Sequence, residues 1–205
     1  VMTGNPVRKE ILTSTKTPQE ARRSFGLEPD LPTVLVVGGS LGARTINDSV
    51  ALALDDVLST GAQVMWQTGK IYAEECAEKA QGKKGVIATA FISDMNVAYR
   101  AADLVVSRAG AGTISELQLL GMPVVLVPSP NVAEDHQRKN AQALVDKEAA
   151  VMILDAECKA KLASTVNELL ADDARREALS QNIIKMALKE ADEKIVDKIY
   201  ELLNK

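Results

Sequence analysis

The chain has few of the residues that carry redox, metal or acid–base chemistry. Its 205 residues include two cysteines and one histidine. Cys76 and Cys158 are too few and too far apart for a disulfide framework or a zinc knuckle, so we assign both a structural role in a reducing, cytoplasmic compartment. The lone His136 is not expected to act as a catalytic base, because no serine or cysteine nucleophile stands in a recognisable elbow.

An excess of basic charge and long apolar runs are also lacking. Lys and Arg number 24 against 28 Asp and Glu, a net charge of −4, which offers no general basic field to a nucleic acid. No segment approaches the roughly 18 apolar residues of a membrane span, and no signal-peptide pattern is present. The start, Val1-Met2 followed by Gly4-Asn5-Pro6-Val7-Arg8, has the composition of a mid-chain loop. We therefore expect a piece of a longer protein.

What the chain does have is a regular alternation of short β-branched runs and helical patterns. Such alternation predicts an α/β fold, a Rossmann-like doubly wound parallel sheet with helices on both faces. The predicted strands are Thr33–Val37, Gln63–Gln67, Gly85–Thr89, Leu104–Val106, Val124–Val127 and Ala150–Ile153. The predicted helices between them are Ala43–Ser59, Tyr72–Gln81, Met95–Ala101, Thr113–Leu120 and Gln137–Lys147.

Beyond Leu154 the strand pattern stops and a helical tail is predicted. Its helices are Lys159–Leu170, Ala174–Lys189 and Lys194–Leu203. The predicted organisation is an interdomain linker and start of the domain at residues 1–30, the Rossmann-like domain at 31–155, and helices that complete it at 156–205. Only Thr13–Asp30 has a linker-like composition.

The loop after the first strand has the composition of an anion site. Gly38, Gly39 and Gly42 permit a tight turn and close approach of a ligand, and the free N–H groups of a helix start favour phosphate. NAD and ATP are disfavoured, because Val37 replaces the first glycine of the dinucleotide fingerprint and Ala43 stands where a Walker motif has lysine. The alternative interpretation, a tight turn that binds no ligand, stays open.

The loop after the fourth strand, Ser107–Glu116, is a second anion site in outline. Small residues expose backbone donors, with Arg108 just upstream. Glu116 lies one turn inside the predicted helix, where a carboxylate can accept hydrogen bonds from ribose hydroxyls. The alternative is structural, with Thr113 as helix cap and Glu116 closing a capping box.

The loop after the fifth strand leads to a polar cluster, Asp135-His136-Gln137. Asp and Gln can each engage the hydroxyls of a sugar, and an amide offers both a donor and an acceptor. Glu134 and Asp135 form an acidic pair that resembles a metal site, but the chain has no convincing Asp-x-Asp motif in a strand-end loop. Neither a metal nor a cofactor is predicted.

Five motifs, in order, resemble the MurG family of glycosyltransferases. They are Gly4-Asn5-Pro6-Val7-Arg8, Gly38–Ala43, Phe91-Ile92-Ser93-Asp94-Met95, Ser107–Glu116 and Asp135-His136-Gln137. The resemblance covers nearly the whole chain and is more specific than any single glycine loop. It implies the C-terminal donor half of an inverting, two-domain GT-B enzyme that moves N-acetylglucosamine from UDP-N-acetylglucosamine to lipid I, forming lipid II for peptidoglycan.

The resemblance also assigns residue roles. Arg8 and Ser40 contact UDP, Ile92 binds uracil through its backbone, and Gln137 reaches the sugar hydroxyls. The diphosphate and ribose are held by Ala111, Gly112, Thr113, Ile114, Ser115 and Glu116. The phosphate loops are supported by Gly38, Gly39, Gly42 and Arg108.

By the same resemblance, the catalytic base, the lipid I site and contact with the inner face of the bacterial cell membrane belong to the missing N-terminal domain. The fragment alone is therefore expected to be inactive. Two alternatives stay open: another GT-B enzyme that uses a UDP-sugar, such as a 2-epimerase or a lipid glucosyltransferase, and a nucleotide-binding module without catalysis.

Overall fold

The central sheet has inner strands that are largely buried and edge strands that are half-buried. A computed structural model, which describes residues 3–203, contains β1 (Thr33–Val37), β2 (Gln63–Gln67), β3 (Val86–Thr89), β4 (Leu104–Ser107), β5 (Val124–Leu126) and β6 (Val151–Met152). These strands pair in parallel in the order β3-β2-β1-β4-β5-β6. The predicted doubly wound fold is confirmed. The expectation drawn from Val1 and Met2 lies outside the described residues.

Successive residues of each strand face opposite cores, as the alternation of a pleated strand requires. Val34 and Val36 belong to one buried cluster and Leu35 to the other. The helices are α1 (Pro18–Ser24), α2 (Arg44–Ser59), α3 (Ala73–Ala80), α4 (Met95–Ala101), α5 (Ala111–Leu120), α6 (His136–Val145), α7 (Cys158–Ala171), α8 (Asp173–Lys185) and α9 (Ala191–Leu203). The first face is covered by α2, α3 and α7, and the second by α1, α4, α5 and α6.

Helix α1, inside the linker-like stretch, is not among the predicted helices. Thr17 accepts a hydrogen bond from the Glu20 N–H, and Glu20 Oε2 accepts one from the Thr17 N–H, which completes a capping box. Arg22, 6% exposed, makes two hydrogen bonds to the Asp103 carboxylate, at 2.9 and 2.7 Å. This segment is therefore fixed to the domain by a partly buried ion pair.

The helical tail is confirmed, with different boundaries. Helix α8 ends at Lys185 instead of Lys189, and α9 begins at Ala191 instead of Lys194. The start of the chain packs against this break: a Cβ on Gly4 would lie 2.9 Å from Leu188 Cβ and 3.3 Å from Ala191 Cβ. No helix within residues 3–203 is both long and apolar enough to cross a membrane.

Candidate functional site

The two glycine-rich loops meet where the order of the strands reverses. The chain winds outward from β1 to β3 and then returns to place β4 beside β1. Ligands of doubly wound sheets bind at this position, beyond the carboxyl ends of the strands. The loops after β1 and β4 therefore line one crevice.

Packing requires one glycine of the first loop and leaves little room at a second. A Cβ on Gly42 would lie 2.3 Å from the Thr68 carbonyl oxygen, and one on Gly38 would lie 3.0 Å from the Gln67 oxygen. Gly39 has a φ of +79° and open space around it. The loop leads into α2 with Ala43 as N-cap and no side-chain cap, so the first N–H groups of the helix are left for a ligand. Ser40 is exposed beside them.

Asn47, which was not among the predicted site residues, supports this loop through the neighbouring Thr68. The residue is 2% exposed; its Nδ2 donates to the Thr68 carbonyl at 2.9 Å, and its Oδ1 accepts from Trp66 Nε1 at 2.9 Å. Thr68 is the residue whose carbonyl approaches Gly42. Asn47 thus fixes the surface on which the glycine loop rests.

The second loop leads into α5, whose start corrects the predicted cap. The N-cap is Gly110, without a side-chain hydrogen bond, and Thr113 is the third residue of the helix. The capping box between Thr113 and Glu116 is therefore wrong. Ala111 and Gly112 are exposed in the first turn, and a Cβ on Gly110 or Gly112 would touch nothing within 4 Å. Protein packing does not require these glycines, which favours the approach of a ligand.

Two other residues predicted to hold the diphosphate are hydrogen-bonded within the protein. The N–H of Ile114 donates to the Gly110 carbonyl at 2.9 Å, and its side chain is buried. Ser115 Oγ donates to the Ala111 carbonyl at 3.0 Å and accepts from Asn5 Nδ2 at 3.0 Å. Ala111, Gly112 and Thr113 therefore supply the open N–H groups.

Glu116 lies between a buried phenol and an exposed guanidinium. Tyr99, 2% exposed, donates its hydroxyl to Glu116 Oε2 at 3.0 Å, and Arg8 Nη2 lies 4.0 Å from Glu116 Oε1. Burial raises the pKa of Glu116 above its ordinary value, against the opposing effects of Tyr99 and Arg8. Burial, with the adjacent Glu116, also raises the pKa of Tyr99. The carboxylate is a partly desolvated acceptor beside a cation, on the helix whose N-terminus opens at the crevice.

Asn5 ties the segment that carries Arg8 to the start of α5. Besides Ser115, Asn5 Nδ2 reaches the Ala111 carbonyl at 3.4 Å. Since Asn5 and Arg8 belong to one short segment, this tie brings the start of the chain to the first turn of α5. Sequence spacing could not indicate a contact across 106 positions.

The two remaining predicted contacts flank the crevice. The Ile92 side chain is buried, which is compatible with the predicted contact through its backbone, and Phe91 beside it is 60% exposed. Gln137, the second residue of α6, accepts the Ser129 N–H on Oε1 at 3.0 Å. The preceding Glu134 and Asp135 both have positive φ, 54° and 55°. Such left-handed backbone is costly for these residues and is concentrated at functional sites.

Arg108 is bonded to partners within the protein. Its Nη1 pairs with Asp155 and donates to the Val127 and Pro128 carbonyls, at 3.1 and 3.4 Å. The geometry is that of an internal ion pair and does not support the predicted role in the phosphate loop. Among residues 3–203, no group of three His, Cys, Asp or Glu side chains is arranged to hold a metal.

A family model described as the glycosyltransferase family 28 C-terminal domain matches residues 33–195. The chain belongs to this family. The match begins at β1 and ends within α9, so it includes the sheet and every loop of the crevice.

Similar proteins agree with the family 28 assignment. A relative from Parabacteroides distasonis, named UDP-N-acetylglucosamine–N-acetylmuramyl-(pentapeptide) pyrophosphoryl-undecaprenol N-acetylglucosamine transferase, is 50% identical over 207 residues, covering 100% of this chain and 56% of its own length. The crystal structure of Acinetobacter baumannii MurG has a TM-score of 0.77 at 29% identity, covering 95% of this chain and 55% of that one. The resemblance to MurG is confirmed. The chain spans about half the length of these relatives.

The rival GT-B enzymes share the fold of this family 28 domain. The crystal structure of a putative UDP-N-acetylglucosamine 2-epimerase from Listeria monocytogenes has a TM-score of 0.68 at 16% identity, covering 98% of this chain and 53% of that one. At this identity the likeness shows the fold alone. The higher sequence identity to the transferases is therefore what distinguishes the transferase interpretation from the epimerase interpretation.

Proposed function

We propose that this chain is the donor half of an inverting N-acetylglucosaminyltransferase that forms lipid II from UDP-N-acetylglucosamine and lipid I. One observation carries the proposal: two helix N-termini without side-chain caps, those of α2 and α5, open into the crevice between β1 and β4. Such termini favour a diphosphate. The transferase name of the 50% identical relative supplies the sugar and the acceptor.

The residues of the crevice support a division of labour. The N–H groups of Ala111, Gly112 and Thr113 would hold the diphosphate, and Glu116 would accept the ribose hydroxyls. When the acceptor hydroxyl attacks the anomeric carbon, the bond to UDP breaks with inversion. Negative charge then grows on the diphosphate, where helix N-termini and Arg8 stabilise it. Gln137 would bind the sugar hydroxyls through its amide.

The catalytic base and the lipid I site would belong to the half of the protein outside this chain. Helix α9 supports such a partner, because an apolar stripe at helical spacing is exposed on it: Val196, Ile199, Tyr200 and Leu203. We propose that the acceptor half covers this stripe, and that the whole enzyme works at the inner face of the bacterial cell membrane, where lipid I is found.

Calorimetry with UDP, UDP-N-acetylglucosamine and NAD tests the donor site directly. We expect both uridine nucleotides to bind and NAD not to bind. Lipid II formation is measured in parallel and should be absent until the acceptor half is present. Binding of NAD without UDP would refute the family 28 donor site. Lipid II formation by this chain alone would refute the division into two halves, whereas UDP binding that never leads to transfer in the full-length protein would favour the non-catalytic module.

A further inference from the structure

Asp155 bonds to residues next to both glycine-rich loops of the crevice. It follows β6, in the turn that precedes α7. Its Oδ2 accepts a hydrogen bond from Thr45 Oγ1 at 2.9 Å, and its Oδ1 pairs with Arg108 Nη1. The side chains of Asp155 and Arg108 are only 18% and 20% exposed. Both oxygens of one partly buried carboxylate are therefore used within the protein.

The two side chains that bond to Asp155 lie next to different helix starts of the proposed donor site. Thr45 is the second residue of α2, immediately after the first glycine loop. Arg108 stands two positions before Gly110, the N-cap of α5. The same Arg108 nitrogen donates to the carbonyls of Val127 and Pro128, next to Ser129, whose N–H is bonded to Gln137.

We propose that Asp155 is a positioning residue that sets the spacing between the two helix N-termini that hold the donor diphosphate. The inference rests on the proposed donor function. Charge-assisted hydrogen bonds are directional and short, so a single carboxylate held at both oxygens fixes Thr45 relative to Arg108. Since oriented donors lose effectiveness when displaced by about 1 Å, the spacing of the two termini matters for a ligand that bridges them. Asp155 also neutralises Arg108, which leaves the helix termini and Arg8 to meet the phosphate charge.

Asp155→Asn tests the proposal, because the side chain keeps its shape and loses its charge. Calorimetry with UDP and an NMR titration with uridine are performed well below the melting temperature of each variant. We expect the affinity for UDP to fall roughly ten-fold or more, while the affinity for uridine, which has no phosphate, stays within two-fold of the unaltered chain. Thr45→Val removes the hydrogen bond to Asp155 and keeps the ion pair with Arg108. It should lower the affinity for UDP by less than Asp155→Asn does, again without changing the affinity for uridine. This variant tests the proposal if Asp155→Asn does not fold.

Asp48→Asn is the matched control. Asp48 lies on the same helix as Thr45 and pairs at 2.8 Å with Lys159 on α7, so its loss removes an ion pair between the same two regions without touching a loop. UDP affinity should be unchanged in this variant. The proposal is overturned if Asp155→Asn binds UDP as the unaltered chain does, or if UDP and uridine weaken equally. If the unaltered chain binds no UDP, the proposed donor function fails first and this inference falls with it.

Discussion

Tyr99 donates its hydroxyl to Glu116 at 3.0 Å from a position that is almost wholly buried. The bond occupies one carboxylate oxygen and turns the other toward Arg8, at the open side of the crevice. Because the capping box is absent, Glu116 has no role in starting α5. A carboxylate that is partly desolvated, held by a buried phenol and not needed by its helix is a candidate for ligand recognition.

Replacing Glu116 by Ala should weaken UDP and UDP-N-acetylglucosamine together, because both contain ribose. Loss of one side of a buried polar contact costs about 1 to 3 kcal/mol, which is roughly ten-fold to a hundred-fold in affinity. Calorimetry with both ligands measures the effect. Glu168→Ala, at an exposed position of α7, is the control. An unchanged dissociation constant in Glu116→Ala would refute the ribose role.

The same carboxylate should leave a signature in the pH dependence of stability. Burial raises the pKa of Glu116 in the folded state, so its ionisation favours the unfolded state. The folded protein therefore loses stability as pH rises from the ordinary pKa through the raised pKa. Glu116→Gln does not ionise and keeps an acceptor for Tyr99. We expect the free energy of unfolding of the variant to exceed that of the unaltered chain at neutral pH, and the difference to shrink as pH falls through the raised pKa toward the ordinary value of 4.5. Denaturant titrations at several pH values measure it, with Glu168→Gln as control; a difference independent of pH would contradict the assignment.

The sheet and the position of the site follow from local patterns. β1 and β2 have the predicted bounds because each is a short β-branched or apolar run that remains buried, and the crevice follows from where the strands end. Helix α1 could also have been predicted, since Thr17 and Glu20 have capping-box spacing with Pro18 at the first helical position.

What the sequence could not provide are the partners across the fold. Tyr99 on α4 meets Glu116 on α5 across 17 positions, and Arg108 meets Asp155 across 47 positions. Arg108 near glycines has the composition of a phosphate site, and only the tertiary structure places an acid beside it. The start of α5 was misplaced for a related reason, since Gly110 begins the helix without any side-chain cap.

Gly112→Ala should separate stability from binding. The position lies in the first turn of α5 with open space around the missing Cβ, so alanine should stabilise the helix by up to about 1 kcal/mol and raise the melting temperature by about 2 to 4 °C. The added methyl group would occupy the place proposed for the diphosphate, so UDP affinity should fall at least ten-fold. Ser164→Ala, on the exposed side of α7, is the control for helix propensity and should leave UDP binding unchanged. Retained affinity in Gly112→Ala would contradict the proposed approach of the phosphate.

Donor binding should persist in the presence of a chelator. The N–H groups of two helix starts and the guanidinium of Arg8 can meet the charge of a diphosphate without a divalent ion. We expect the dissociation constant of UDP to agree within two-fold in EDTA and in magnesium. Loss of binding in EDTA that magnesium restores would show that a metal completes the site.

Gln137→Ala should distinguish the sugar from the nucleotide. Gln137 uses Oε1 to accept the Ser129 N–H, which leaves its amide nitrogen for a sugar hydroxyl. In the variant, UDP-N-acetylglucosamine should lose the extra affinity that its hexose contributes, whereas UDP should bind nearly as before. Any loosening of the Ser129 loop would affect both ligands, so the ratio of the two dissociation constants, measured by calorimetry on one sample, isolates the sugar contact. Gln142→Ala, on the exposed side of the same helix, is the matched control and should leave that ratio unchanged. An unchanged ratio in Gln137→Ala would show that Gln137 does not contact the sugar, and would point to other polar residues near the start of α6.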